Sequence, residues 1–220
     1  MGLIAFFAIV TYQRTDIWEN SLSFYGDVVE KYPDSDHGHW MRGNVFKDYK
    51  RIDDAINCYN RAIELNPQYA MAYFNRGVMY AEKKSFKRAI DDYNKTIEYQ
   101  DDDMAAYHNR ANAYRGLGDV GNAIADYSKA LEIDSTFVIS YAARAETYFQ
   151  LKKYHLAIYD YSKLLEYSPN DAQALYMLGV TFLNTGQKQR ACDLLTKASA
   201  LNNEEAKKAL GSYCGNMRQQ

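Results

Sequence analysis

The sequence predicts an all-α fold built from tandem helix pairs, and three observations support this. An internal period of 34 residues aligns the chain with itself six times without a gap. The windows of this period begin at Gly2, Asp36, Ala70, Met104, Val138 and Ala172. Each window carries two apolar stripes with helical spacing, separated by a short polar turn. All three prolines (Pro33, Pro67 and Pro169) stand at the thirty-second place of a window, where a second helix must end.

The composition limits the classes of protein to which the chain can belong. Its 220 residues are 47% hydrophobic and 25% charged, which excludes a collagen or a low-complexity linker. Lysine and arginine number 26 against 28 acidic residues, so the net charge of -2 lacks the basic excess that favours nucleic-acid binding. The cysteines, Cys58, Cys192 and Cys214, are odd in number and widely spaced. We therefore expect free thiols that do not identify a cellular compartment.

Small and large residues recur at fixed places of the repeat. After the first window, glycine or alanine occupies the eighth and twentieth places. The twenty-fourth place holds Tyr25, Tyr59, Tyr93, Tyr127, Tyr161 and then Leu195. Small residues let two helices approach closely, and large ones fill the space between them. The excess of tyrosine, 21 residues in all, therefore has a structural origin.

This pattern resembles the tetratricopeptide repeat family, whose consensus combines aromatic, small and tyrosine positions at fixed spacing. The third window carries the resemblance with Tyr73, Arg76, Gly77, Tyr80, Ala89 and Tyr93. The match extends over the whole chain in register, with a weak first window. The resemblance implies a right-handed superhelix of tandem helix-turn-helix repeats. In that architecture the first helix of each pair, helix A, lines a concave groove that commonly holds a peptide.

The register predicts the organisation of the chain. Residues 1–14 are an apolar segment, either the end of a membrane helix or helix A of the first repeat, and residues 15–35 are helix B of that partial repeat. Five complete repeats follow, at residues 36–69, 70–103, 104–137, 138–171 and 172–205. Residues 206–220 form a capping helix and tail, which a repeat array needs because its last apolar face has no neighbour.

Arginine replaces the leucine that the family usually carries at the seventh place, in Arg42, Arg76, Arg110 and Arg144. A buried guanidinium needs a partner. The twenty-third place, on helix B, holds aspartate in three of these windows and Cys58 in the other. We therefore predict structural ion pairs of Arg76 with Asp92, Arg110 with Asp126 and Arg144 with Asp160. Arg42 needs a different acceptor. The alternative is a row of arginines that binds an anionic ligand.

The resemblance also implies which side chains line the groove. The candidate peptide-binding residues are Trp40, Met41, Asn44, Phe74, Asn75, Val78, His108, Asn109, Asn112, Arg115, Glu146, Phe149, Tyr176, Met177 and Val180. Apolar side chains at both ends suit the side chains of an extended peptide, and asparagines between them can hydrogen-bond to its backbone. The alternative is a groove that is idle or filled by segments of the protein itself.

One ligand class of the family is disfavoured. Its chaperone-binding members hold a terminal carboxylate with two asparagines and three cations. Asn44 and Asn75 match the asparagines, but Trp40, Ala105 and Asn109 stand where the cations are required. Without those charge-assisted hydrogen bonds the chain is not expected to bind the acidic tail of a chaperone.

No motif in the sequence indicates an active site. Residues 116–121, GLGDVG, spell the dinucleotide fingerprint but fall in a turn between two helices rather than between a strand and a helix. No histidine has a serine or cysteine at a recognisable catalytic spacing. The acidic run at residues 101–103 is expected to be a solvated turn in which Asp103 caps the next helix. We predict no enzyme activity, no cofactor and no metal site.

The first residues indicate a membrane. Residues 1–10, MGLIAFFAIV, are apolar throughout, whereas a repeat helix is apolar on one side. Together with Arg14, Trp18 and Pro33 this run is similar to the junction in multi-pass membrane proteins, including glycosyltransferases, where a membrane helix leads into repeats on the non-cytoplasmic side. We therefore predict a protein-binding or peptide-binding scaffold that is tethered through residues 1–14 with its repeats on that side. The alternatives are a non-catalytic accessory domain of a membrane glycosyltransferase and a soluble cytoplasmic scaffold that self-associates through Phe6 and Phe7.

Overall fold

The computed structural model describes residues 21–215, and this part of the chain is all α-helical with no strand. The chain divides into two compact units, one ending at Asp102 and the other beginning at Asp103. Each unit contains helix pairs whose two members pack against each other, and successive pairs within a unit pack side by side. Residues 21–215 therefore form tandem packed pairs of helices, because each amphipathic helix buries its apolar stripe against its neighbours.

Within residues 21–102, the N-terminal unit contains five helices. They are α1 (Ser21–Lys31), α2 (Asp36–Asp48), α3 (Ile52–Leu65), α4 (Ala70–Glu82) and α5 (Phe86–Tyr99). Helix α2 pairs with α3, and α4 pairs with α5, while α1 packs on α2. Phe46, Ala55, Tyr59 and Met79 form the buried core between them.

The C-terminal unit contains three helix pairs and a cap. The pairs are α6 (Met104–Gly116) with α7 (Val120–Ile133), α8 (Val138–Gln150) with α9 (Tyr154–Tyr167), and α10 (Ala172–Asn184) with α11 (Lys188–Ala200). The cap is α12 (Glu204–Ala209), which continues into a π-helical turn (Leu210–Cys214). Both cap segments pack on α11 and cover the end of the last pair.

Short side chains and left-handed residues set where the helices begin and turn. Asp103 accepts a hydrogen bond from the Ala106 amide at 2.9 Å, so the predicted cap of α6 is confirmed. Asp171 caps α10 in the same way, accepting from the Ala174 amide at 2.8 Å. Gly118 has a φ of 80° in the turn between α6 and α7. This glycine of the false dinucleotide motif therefore serves a left-handed turn, a conformation that glycine adopts without strain.

The recurrent tyrosines fill the space inside each helix pair. Tyr59, Tyr93, Tyr127 and Tyr161 are between 0% and 3% exposed. The opposing helix carries a small residue at the point of contact. A Cβ atom added at Gly43 would lie 2.5 Å from the ring of Tyr59, so only a glycine lets these two helices approach to this distance.

The expectation of three free thiols is wrong for two of them. Cys192 on α11 and Cys214 in the π-helical turn form a disulfide with a Cα–Cα separation of 5.9 Å. The pairing arises because the cap folds back over α11 and brings together cysteines that are 22 residues apart in sequence. Cys58 is a free, buried thiol, and burial raises its pKa.

Residues 1–20 and 216–220 lie outside the described part of the chain. The predictions about residues 1–14, their apolar run and their membrane contact therefore fall outside it as well. Among the helices of residues 21–215, none is long and apolar enough to cross a bilayer.

Candidate functional site

Two asparagines of the predicted groove are linked in the N-terminal unit. The Asn44 side-chain oxygen accepts a hydrogen bond from the Tyr59 hydroxyl and another from the Asn75 amide, both at 2.8 Å. Tyr59 is fully buried, and it holds Asn44 from below. The arrangement connects α2, α3 and α4. It also orients the two amides, because each asparagine is held by its neighbour or by the core.

The aromatic residues predicted for this unit are partly covered by the protein itself. The Trp40 ring lies 5.3 Å from His37 and 5.9 Å from Tyr69, measured between centroids. Its indole nitrogen is buried and has no hydrogen-bond partner within residues 21–215. Phe74 lies 6.0 Å from the Tyr93 ring. Met41 and Val78 are half-buried, and Val78 packs against the core that contains Phe46.

The structure brings the three predicted arginine–aspartate pairs together within their repeats. Each arginine donates from Nε and Nη2 to both carboxylate oxygens, at 2.7–2.9 Å for Arg76 with Asp92, Arg110 with Asp126 and Arg144 with Asp160. Arg76 and Arg144 also reach back to the preceding helix pair. Arg76 donates to Asn60, and Arg144 donates to Ser128, each at 2.7 Å. These guanidinium groups are thus engaged in the framework rather than offered to a ligand.

Arg42 differs from its counterparts. Cys58 stands where the others have aspartate, and the Arg42 guanidinium lies over the Phe46 ring at 5.4 Å. Its Nε is buried without a hydrogen-bond partner among the residues the structure describes. The ring supplies a cation–π contact in place of a carboxylate.

A pocket of about 420 Å³ opens in the C-terminal unit. It is lined by five of the predicted groove residues, which are His108, Asn112, Arg115, Glu146 and Met177. These come from the first helices of three successive pairs, α6, α8 and α10. Apolar walls with a few convergent polar groups are typical of a ligand site. The other predicted residues of this unit, Asn109, Phe149, Tyr176 and Val180, do not line the pocket.

An ion pair and an oriented amide line this pocket. Arg115 on α6 donates to Glu146 on α8 at 2.7 Å, and their side chains are 32% and 47% exposed. Asn112 is held by the Tyr127 hydroxyl, which donates to its side-chain oxygen at 2.5 Å. The lining of the pocket therefore includes an oriented amide, that of Asn112, and an accessible ion pair, Arg115 with Glu146.

His108 forms the floor of the pocket. Its Nδ1 lies 2.9 Å from the Ser140 hydroxyl, and its ring contacts Tyr127 and Phe137. Burial, and next the charge of Arg115, lower the pKa of His108 to about 4, so the imidazole is neutral at pH 7. No pattern in the sequence predicts a serine beside this histidine. Ser140 is 0% exposed, so its hydroxyl cannot reach a substrate as a nucleophile does.

Several lining residues were missed from the sequence. They include Ile139, Tyr161, Asp171 and Gln173. Ile139 and Gln173 stand at the second place of their windows, which the family's groove pattern includes, so a signal for them was present. Tyr161 was assigned to the space between helices, and no pattern in the sequence indicates that Tyr161 or Asp171 reaches the pocket.

Models of one family match along the chain. Models described as TPR repeat match residues 43–84 and 145–186, and models described as tetratricopeptide repeat match residues 70–103, 105–137 and 173–202. Together they cover more than half of the sequence. The protein belongs to the tetratricopeptide repeat family.

Solved structures of other proteins share the fold of this tetratricopeptide repeat protein. YrrB, described as a TPR protein with an unusual peptide-binding site, has a TM-score of 0.71 at 18% identity, over 86% of this chain and 97% of that one. MamA gives a TM-score of 0.70 at 19% identity, over 75% and 96%. MamA from Desulfovibrio magneticus RS-1 gives 0.65 at 16% identity, over 77% and 96%. A comparison with curated protein sequences finds no significant match.

The lowered pKa of His108 predicts how the stability of this tetratricopeptide repeat protein depends on pH. Below about pH 6.5 the unfolded chain binds a proton at this histidine and the folded chain does not, until about pH 4. The contribution of neutral His108 to the free energy of unfolding is therefore complete above pH 6.5. It falls by about 3 kcal/mol as the pH drops to 4.

The measurement is urea unfolding between pH 4 and pH 8 for the wild type and His108→Asn, whose amide retains a polar contact to Ser140. The variant should show a weaker pH dependence over this interval. His155→Asn, at an exposed histidine of the same unit, is the control and should behave as the wild type. If the free energy of unfolding depended on pH in the same way for the wild type and His108→Asn, the lowered pKa of His108 would be contradicted.

Proposed function

We propose that this protein is a non-catalytic scaffold that binds a protein or an extended peptide, and that the pocket of the C-terminal unit is part of the binding surface. The observation that carries the proposal is the convergence of predicted groove residues from α6, α8 and α10 on one pocket. A preformed concavity with apolar walls and oriented polar groups limits the entropy lost on binding. The fold shared with YrrB, itself described as peptide-binding, supports the same reading.

The polar groups of both units suit a peptide backbone. Asn44 and Asn75 in the N-terminal unit, and Asn112 in the C-terminal unit, are held through their side chains by hydrogen bonds to protein groups. Each amide carries more donors and acceptors than these bonds use. Oriented amides can therefore hydrogen-bond to the N–H and C=O groups of an extended segment without further ordering.

Binding is tested with peptides selected from a random dodecapeptide library displayed on phage. The variant is Ile139→Gln, because Ile139 lines the pocket and is 50% exposed, so its replacement leaves the core intact. We expect the dissociation constant of a selected peptide to rise about tenfold, the loss of one buried apolar contact. Leu156→Gln is the matched control, since Leu156 is 45% exposed in the same unit and does not line this pocket. Equal affinities for both variants and the wild type would remove the pocket from the binding surface.

The disulfide supports a position for the repeats in an oxidising compartment. Structural disulfides persist in secreted, periplasmic and lumenal proteins and are rare in the cytosol. The Cys192–Cys214 bond therefore favours the non-cytoplasmic side over the cytoplasm. The accessory role beside a membrane glycosyltransferase rests on residues at the N-terminus, most of which lie outside the described chain, and neither the comparisons nor residues 21–215 add to it.

Membrane tethering through residues 1–14 is tested by liposome flotation of residues 1–220 beside residues 15–220. If the apolar run is a membrane stem, only the longer chain floats, because an apolar segment partitions into the bilayer interface. Circular dichroism of both chains is the control for folding. Flotation of neither chain, with both folded, would move the apolar run to a packed helix or to a contact between copies.

A further inference from the structure

The charges in the pocket of the C-terminal unit do not balance. Its lining contains one guanidinium, Arg115, and two carboxylates, Glu146 and Asp171, while His108 is neutral at pH 7. Arg115 and Glu146 neutralise each other through their 2.7 Å contact. Asp171 uses one oxygen to cap α10, and its second oxygen has no partner in the described chain. One net negative charge therefore faces the pocket.

The hydroxyl of a largely buried tyrosine adds a second polar group that has no partner in the described chain. Tyr161 is 3% exposed, lines the pocket, and makes no hydrogen bond with any residue between 21 and 215. Two of its equivalents behave differently, because the Tyr59 and Tyr127 hydroxyls donate to Asn44 and Asn112. The corresponding place beside Tyr161 holds Glu146, whose carboxylate is turned to Arg115. The Tyr161 oxygen is thus left free for a group that enters the pocket.

The remaining walls suit an aliphatic chain. Ile139, Ala142 and Met177 line the same volume of about 420 Å³. A lysine or arginine side chain buries its methylene groups against apolar surface and places its charge near polar groups. An acidic side chain would have to displace Glu146 from Arg115 and would meet the charge of Asp171. Apolar walls, two carboxylates and a free hydroxyl oxygen together match a basic side chain.

We infer that the pocket of the C-terminal unit selects a lysine or arginine side chain of the bound peptide, with Glu146 and Asp171 facing its charge and Tyr161 offering a hydroxyl oxygen. The inference rests on the proposed function, since it names the residue type that a peptide presents to this part of the surface. It gives the pocket the opposite charge preference to a clamp for carboxylates.

The test uses three blocked pentapeptides, Ala-Ala-Xaa-Ala-Ala, in which Xaa is lysine, glutamate or norleucine. Binding to the full-length ¹⁵N-labelled chain is followed by amide chemical shifts, which detect millimolar affinities. We expect the lysine peptide to shift the amides of α8 and α10 and to bind about tenfold more tightly than the glutamate peptide. The preference should weaken with added salt, because the carboxylates are partly exposed.

The decisive variant combines Glu146→Gln with Asp171→Asn. Both changes remove charge and retain shape, and asparagine still caps a helix, so α10 is preserved. With Arg115 then unopposed, the preference for lysine over glutamate should be lost or reversed. Asp119→Asn is the matched control, because Asp119 caps α7 through the Asn122 amide and does not line the pocket.

The outcomes separate the two proposals. Equal binding of the three peptides, or tighter binding of the glutamate peptide, overturns the selection of a basic side chain. If no pentapeptide shifts the amides of α8 and α10 while a phage-selected peptide does, the basic selection is likewise wrong and the peptide-binding function stands. If phage-selected peptides bind equally to the wild type and to Ile139→Gln, the pocket is not part of the binding surface, and the selection of a basic side chain at this pocket fails with it.

Discussion

Replacing Asp160 with leucine is expected to lower the free energy of unfolding by about 3–5 kcal/mol, the cost of leaving a buried charge unpaired. Asp160 is 1% exposed, and both of its oxygens accept from Arg144, at 2.8 and 2.7 Å. The arginine side chain is itself 14% exposed and cannot move into water without leaving the α8–α9 interface. Its remaining bond to Ser128 does not compensate for the missing charge.

Replacing both partners, Arg144→Leu with Asp160→Leu, is expected to restore most of that stability. Burial raises the pKa of Asp160 even though the hydrogen bond and charge of Arg144 act the other way, so the pair does not fully offset the desolvation of its carboxylate. The same unit already contains the apolar version. Leu178 and Leu194 occupy the equivalent places in the α10–α11 pair and pack in one apolar cluster.

Urea unfolding of the wild type, the single variant and the double variant measures the coupling, with hydrogen exchange of α8 and α9 to localise the change. We expect similar free energies of unfolding for the wild type and the double variant, and a much lower one for the single variant. A double variant as unstable as Asp160→Leu would show that the guanidinium and carboxylate contribute directional bonds that leucines do not replace.

Removing the Cys192–Cys214 disulfide is expected to cost about 3 kcal/mol, because it closes a loop of 22 residues and restricts the unfolded chain. The loss of stability should be located at the C-terminal end of the described chain. The bond ties α11 to the turn that follows α12, and the cap is short, with only Ala206 and Cys214 buried in its two segments.

The measurement is thermal unfolding of Cys192→Ala with Cys214→Ala, with and without a reducing agent. The reducing agent should lower the midpoint temperature of the wild type to that of this variant and leave the midpoint temperature of the variant unchanged. Cys58→Ala is the control, since its response to reductant should match that of the wild type. A wild type that ignores the reductant under conditions that open the bond would show that the cap is held by packing alone.

The lining of the pocket in the C-terminal unit was predictable in part, and the reason differs between its residues. His108, Asn112, Arg115, Glu146 and Met177 were placed by the repeat register, because a helix of constant length puts equivalent positions on the same face. Tyr161 was not, since the same register assigns its equivalents Tyr59, Tyr93 and Tyr127 to the core. The serine beside His108 was missed because it comes from the next helix pair, 32 residues away.

The sequence by itself determined the helix pairs, their turns and the arginine–aspartate partners. All of these depend on spacing within one repeat, and a period of 34 residues repeats the same local physics in every window. Only the tertiary structure decided three features: the disulfide, the lack of a hydrogen-bond partner for Arg42 Nε among residues 21–215, and the charge balance of the pocket. Each depends on which side chains meet across different helices. Such contacts are set by packing distances that no single stretch of sequence contains.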